Sequence, residues 1–86
     1  MENKRKQFFY VYILQSIGDL ESFYTGFTEN LGERLKAHNY GKDPHTAKLR
    51  PWRIKTAVAF SDRQQALDFE RYLKTQSGRA FAKKRL

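Results

Sequence analysis

The chain contains no cysteine, so neither a disulfide nor a thiolate metal centre can hold it together. Nothing in it approaches the roughly 20 apolar residues of a membrane span, and the opening MENKRKQFF has no apolar run long enough for a signal peptide. These absences predict a protein of the reducing cytoplasm with no membrane partner. Internal repeats and low-complexity segments are also missing. Acidic residues are scarce: nine Asp and Glu stand against seventeen Lys and Arg, a net charge of +8. Such a balance favours a polyanion, because each neutralised phosphate releases condensed counterions. The positive charge is clustered at Lys4, Arg5 and Lys6, at Lys48, Arg50 and Arg53, and at Lys83, Lys84 and Arg85, which points to nucleic acid.

Eighty-six residues predict one domain over 1–86 with a modest core, about 8–77, and basic tails at both ends. FFYVYILQ, Phe8 to Gln15, is an unbroken aromatic and β-branched run that reads as a strand buried on both faces. Gly18-Asp19 supplies a turn, and SFYTGF reads as its hairpin partner. Asn30 with Glu33 resembles a capping box that opens a helix over about Leu31 to Tyr40, ending near Gly41. GKDPHTAKLRP reads as a loop or at most a short irregular turn. WRIKTAVAF follows as a third strand, with Trp52, Ile54, Val58 and Phe60 expected on one face. Ser61 with Gln64 predicts a second capped helix through about Gln76, broken by Gly78, with RAFAKKRL as a last short turn. The expected architecture is a small α/β layer fold, order β-β-α-β-α, with helices on a three-stranded sheet.

Side-chain direction then brings polar groups together. Tyr12 and Tyr24 fall on the same side of adjacent strands if the hairpin registers at Gly18-Asp19. Arg34 and His38 are i and i+4 on the first helix and point at one spot. On the second helix, Glu70 lies in or beside the apolar stripe of Ala66, Phe69 and Leu73, where a carboxylate loses solvation and needs a cation or donors. Each residue also has a plain reading: core tyrosines, a helix-end histidine, Arg34 paired with Asn30 or Glu33, and Glu70 paired with Arg34 or a lysine. Trp52 reads as core, with base stacking as its alternative, and His45 has no partner at metal spacing.

YVYILQ followed by FYTGFTENLGERLKAHN and then ALDFERYLK resembles the GIY-YIG nuclease superfamily, specifically small single-domain bacterial members related to the amino-terminal nuclease domain of the bacterial excinuclease. The likeness spans about Phe9 to Gln76. Its two motifs stand here as Tyr10-Val11-Tyr12 and Tyr24-Thr25-Gly26, with the leading Gly replaced by Tyr10 and both middle Ile changed. The resemblance implies that Tyr12 activates or orients the attacking water and that Tyr24 positions water and phosphate. It implies that Arg34 holds the scissile phosphate, His38 carries a proton, Glu70 binds a single divalent ion (Mg2+ or Mn2+), and Gly26 gives room beside the site. Lys48, Arg50 and Arg53 are expected substrate contacts.

The chemistry asks for the same residue types. Phosphodiester hydrolysis needs a nucleophile made from water, neutralised phosphoryl oxygens and help for the leaving alkoxide. Arginine presents a planar, permanently charged fork suited to phosphate. Mg2+ takes oxygen ligands and keeps several waters, so one carboxylate plus substrate phosphate can suffice. A phenol with an ordinary pKa of ~10 is a poor base unless its surroundings help. The sequence therefore predicts a metal-dependent endonuclease acting on nucleic acid, DNA in repair or recombination, with a nucleic-acid-binding module of the same fold as the alternative. No further polar residue of the kind larger family members carry is evident in SGRAFAKKRL. The sequence reads as having no appended DNA-binding domain, so specificity is expected from nucleic-acid structure or from a protein partner.

Overall fold

The first strand is the axis on which everything else is built. In the computed structural model, which describes residues 7–86, β1 (Phe9–Ser16) lies between β2 (Phe23–Thr28) and β3 (Trp52–Phe60), and both neighbours run antiparallel to it. A central strand is covered on both faces, which is why β1 is apolar without alternation. Val11, Tyr12, Ile13 and Leu14 are all buried. One side of the sheet carries Val11 and Ile13 packed with Ala66, Phe69 and Leu73 of α3 (Arg63–Leu73). The other carries Tyr12, Leu14 and Trp52 packed with Leu31 and Leu35 of α1 (Leu31–Asn39). Helix α1, in the β2–β3 connection, and helix α3, which follows β3, thus lie on opposite faces. The basic run Lys4, Arg5 and Lys6 lies outside the described residues. Among the described residues, no helix is long and apolar enough to cross a membrane.

Helix α1 begins and ends where its sequence signals stand. Asn30 Oδ1 accepts from the Glu33 N–H at 3.1 Å, satisfying one of the first-turn donors. At the other end Gly41 has φ of +80°, the left-handed value that glycine adopts without a Cβ penalty. Its N–H donates to the His38 carbonyl and that of Lys42 to the Ala37 carbonyl, each at 3.1 Å, a Schellman closure.

The segment 41–51 holds only a short turn: α2 (Pro44–Ala47) is a single helical turn capped by Asp43, whose side chain accepts from the His45 N–H. Four expectations are corrected. The hairpin is not closed at Gly18-Asp19 alone: residues 17–22 join β1 to β2 and Leu14 lies opposite Tyr24, one residue away from the register a two-residue turn there would set. The cap of α3 is Asp62, accepting from the Gln65 N–H at 2.9 Å, rather than Ser61; a carboxylate one residue later competes better for that first turn. The third correction concerns Gly78, which breaks nothing. Helix α3 stops at Leu73, Thr75 caps a new helix, and α4 (Gln76–Arg85) runs through Gly78 and brings Ala82 and Leu86 onto the core. A Cβ at Gly78 would collide with the Tyr72 carbonyl, so this glycine lets α4 close against the end of α3. Finally, β3 does not keep one face. Ile13 pairs with Thr56 but Leu14 with Ile54, leaving Lys55 as an extra residue that reverses the alternation. Trp52 and Ile54 therefore join the Tyr12 side, and Phe60 joins the Val11 side.

Candidate active site

The hairpin register sets the first pair. Tyr12 lies opposite Gly26, and Leu14 opposite Tyr24, so both phenols project from the α1 face, with ring centroids 6.5 Å apart. A Cβ at Gly26 would overlap the Tyr12 hydroxyl and come within 2.6 Å of its Cζ. The glycine makes room for the tyrosine ring across the strand, an intramolecular role that the motif alone did not reveal. Tyr12 is 2% exposed, so it can meet a small group such as water but not a nucleobase.

Helix α1 supplies the next two groups. The Arg34 Nε–H donates to the Tyr12 hydroxyl at 3.4 Å, and its Nη2 lies 3.7 Å from an Asp43 carboxylate oxygen. Its guanidinium pairs with Asp43 and not with Asn30 or Glu33. At 39% side-chain exposure it offers donors to the outside. One turn on, His38 has no exposed surface; its Nε2 is 3.0 Å from the Tyr12 hydroxyl, and its ring lies 4.9 Å from that of Tyr24. Its other nitrogen, Nδ1, is 2.8 Å from Thr46 Oγ1.

The contacts of the imidazole fix its partners, and the tautomer follows from where the Thr46 hydroxyl points. The Asp43 carbonyl lies 3.3 Å from Thr46 Oγ1; with the hydroxyl proton directed there, Oγ1 accepts from His38, Nδ1 carries the imidazole proton and Nε2 is the acceptor. The Tyr12 O–H then donates to Nε2, and its free lone pair receives the Arg34 N–H. The chain Arg34–Tyr12–His38–Thr46–Asp43 is satisfied at every joint, and no buried side-chain polar atom among the described residues lacks a partner.

Electrostatics keep this chain neutral at its centre. Burial raises the Tyr12 phenol above its ordinary value, more than the Arg34 hydrogen bond and charge lower it. Burial also lowers His38, reinforced by the Arg34 charge and opposed by Asp43. Arg34 is raised, chiefly by its bond to Tyr12. At neutral pH the site therefore holds a phenol, a neutral imidazole with a bare nitrogen, and a guanidinium. His38 is not a cation answering the helix dipole.

Glu70 stands apart from these four. It belongs to α3, on the other side of the sheet from α1, and its carboxylate pairs with Lys74 at 3.0 Å, not with Arg34. It reaches the cluster through its field: its charge is the weakest of the influences that raise Tyr12. A groove of about 930 Å3 beside the β2 edge is lined by Tyr24, Lys55, Lys74, Arg79 and Lys83, and Glu70, Tyr12, Arg34 and His38 are not part of its lining. Among the described residues no group of three His, Asp or Glu could cage a metal. Glu70, with its side chain 20% exposed, offers one hard oxygen donor beside water, which fits an ion that completes its shell from phosphate and solvent.

The remaining sequence candidates have mixed positions. Arg50 donates to the Ala47 carbonyl at 2.8 Å and lies against Gly41. The Arg53 guanidinium donates to Gln15 Oε1 at 2.5 Å. Lys48 is the cap of α2. Trp52 is core, 3% exposed, and its indole N–H donates to the Thr46 carbonyl at 2.8 Å, which removes it as a stacking platform. Thr46 and Asp43 were not legible as site residues. Only a Thr six residues before a Trp, in a segment with two prolines, hinted that this stretch is anchored.

The model of the GIY-YIG catalytic domain matches residues 8–85. A UPF0213 protein of Lacticaseibacillus paracasei is 37% identical over 70 residues, 80% of this chain and 76% of that protein. The UPF0213 protein YazA of Bacillus subtilis is 39% identical over 54 residues, 62% of this chain and 54% of its own length. A UPF0213 protein of Bacillus licheniformis is 39% identical over 57 residues, 65% of this chain and 59% of its own length. The chain thus spans less than two thirds of these two Bacillus relatives.

Proposed function

The chain belongs to the GIY-YIG family, whose domains are nucleases, and from that premise we propose that it is an endonuclease that hydrolyses phosphodiester bonds in DNA during repair or recombination. Nucleases of this family generally depend on a divalent metal, and the reading here is a single Mg2+ or Mn2+ held by Glu70. When bound, that ion would neutralise phosphoryl charge and acidify a water.

The observation that carries the proposal is the hydrogen-bonded run Arg34–Tyr12–His38 at distances of 3.4 and 3.0 Å. The outward donors of Arg34 receive the scissile phosphate as a fork. Tyr24, half-buried beside His38, orients phosphate or water. Tyr12 accepts a proton from the attacking water onto its oxygen while its own hydroxyl proton passes to His38 Nε2. The phenol is thus regenerated, the imidazole becomes imidazolium, and the hydroxide forms its bond to phosphorus as the alkoxide leaves. A phenol raised by burial serves as a base only because the imidazole behind it is neutral and bare at Nε2. His38, with no exposed surface, acts through Tyr12 and not on substrate. Lys48, Arg50 and Arg53 contact the flanking phosphates, which position the duplex without reading its sequence.

The test incubates the purified protein with branched, flapped and single-stranded DNA in Mg2+ or Mn2+. Cleavage abolished in Arg34→Ala and in Glu70→Ala, with binding retained, supports the reading; cleavage unaffected by either substitution overturns it. The ion pair of Glu70 with Lys74 favours one competitor, a binding module without catalysis. Tight, salt-sensitive DNA binding by the wild type with no product on any substrate would establish that competitor.

A further inference from the structure

We infer that Thr46 is a positioning residue that locks His38 in the Nδ1–H tautomer, and that the one-turn helix carrying it exists to aim that single acceptor. The role deepens the nuclease reading and rests on it, because only this tautomer leaves Nε2 free to take the Tyr12 proton.

Three observations converge on Thr46. The residue is 1% exposed and its Oγ1 lies 2.8 Å from His38 Nδ1. The hydroxyl has the Asp43 carbonyl at 3.3 Å as an acceptor for its own proton, and with the proton there the oxygen accepts from His38. The main chain at Thr46 is held from two more directions: its N–H donates to the Asp43 carbonyl at 3.1 Å, and its carbonyl receives the Trp52 indole N–H at 2.8 Å. Asp43 in turn touches Arg34, so the segment that orients the imidazole also steadies the guanidinium.

The acceptor-only geometry has a dynamic consequence. In the neutral ring Nδ1–H donates to Thr46; in the imidazolium the same bond persists while Nε2–H donates back to the Tyr12 oxygen. Proton transfer therefore requires no rearrangement behind the ring, whereas a donor at position 46 would have to turn away at each cycle. A histidine whose outer hydrogen bond fixes its tautomer is a general device. Here a threonine hydroxyl takes the place more often filled by a carboxylate, so the buried site gains no negative charge.

The experiment records the imidazole nitrogens of the full chain by long-range 1H–15N correlation at neutral pH, for the wild type, Thr46→Val and Thr46→Ser. His38 is expected to show a pyrrole-like Nδ1 and a pyridine-like Nε2 in the wild type and in Thr46→Ser, and to lose that preference in Thr46→Val. Cleavage is expected to fall about 10²-fold in kcat for Thr46→Val, with KM unchanged because Thr46 touches no substrate, and to recover to within a few-fold in Thr46→Ser. A wild-type His38 protonated on Nε2 overturns the assignment without reference to any variant, and so does a Thr46→Val protein that keeps the wild-type tautomer. Should the wild type cleave nothing, the nuclease reading fails while the nitrogen spectrum still decides the role of Thr46. Should Thr46→Val not fold, the wild-type and Thr46→Ser spectra decide it.

Discussion

Replacing Gly26 with alanine tests the geometry of the site more sharply than removing any catalytic side chain. Position 26 is ordinary strand backbone without a positive φ, so on conformational grounds alone alanine should stabilise the protein by about 0.4–1 kcal/mol through the unfolded chain. The structure predicts the reverse. The new methyl would lie 2.6 Å from Tyr12 Cζ and 3.0 Å from Cε1, closer still to the hydroxyl oxygen, where carbon atoms prefer about 3.5–4.0 Å. The ring must retreat by about 1 Å to restore that spacing, and at 2% exposure it has no open space to enter. Overpacking of this kind costs about 1–3 kcal/mol. A retreat of that size also breaks the 3.0 Å bond to His38, about 1 kcal/mol more. The net is a loss of about 1–3.5 kcal/mol, which for a domain of this size lowers the melting temperature by about 5–25 °C. Urea unfolding of Gly26→Ala alone and in a Tyr12→Phe background measures the two parts. Removing the phenolic oxygen deletes the nearest colliding atom and the His38 bond together, so the same Gly26→Ala change should cost about 1–2 kcal/mol less there. Equal costs in both backgrounds, or a Gly26→Ala protein as stable as the wild type, would refute the steric argument.

Other expectations follow from the same packing. His38 is held neutral with its pKa lowered by burial, so below the ordinary value of about 6.5 the unfolded chain binds a proton that the folded one resists. Stability contributed by His38 is complete above that value and is lost as pH falls below it toward the folded value; urea midpoints at pH 5 and pH 8 should show this slope in the wild type and not in His38→Gln. At Gly78 the obstacle is a backbone carbonyl, which cannot step aside as a side chain can, so Gly78→Ala should cost about 3 kcal/mol or more, read by thermal melting. Trp52→Phe removes the indole donor from the Thr46 carbonyl and should cost about 1–3 kcal/mol while also slowing cleavage, measured by urea unfolding beside a single-turnover assay. Duplex DNA binding should weaken with salt at a log–log slope of about −0.9 per phosphate contacted; a salt-independent Kd from fluorescence anisotropy would exclude a phosphate-based interface.

Much of this molecule was legible in one dimension because its signals are local. The run from Phe9 to Gln15 can only be a strand covered on both sides, Asn30 and Gly41 bracket a helix, and an i, i+4 pair must share a helix face whatever lies beyond it. Hairpin register was less secure: a two-residue turn at Gly18-Asp19 would put Tyr24 opposite Ile13 and turn it away from Tyr12, whereas the strands are joined through residues 17–22 and Tyr24 lies opposite Leu14. The local rules are enough to place Arg34 beside His38 and Tyr12 on the central strand, and the longer connection brings Tyr24 to the same side.

What needed the tertiary structure were the matters settled between distant segments. The reversal of β3 at Lys55 depends on how many residues β1 presents opposite it, and no pattern within WRIKTAVAF records that count. Gly78 reads as a breaker until the end of α3 is seen pressing on it. Glu70 is an anomaly on its own helix, yet whether it meets Lys74 or Arg34 depends on which face of the sheet each helix covers. The partner of His38 was hidden for the same reason. A hydroxyl becomes an acceptor only when its proton is engaged elsewhere, and that engagement is a property of the folded neighbourhood and not of the residue.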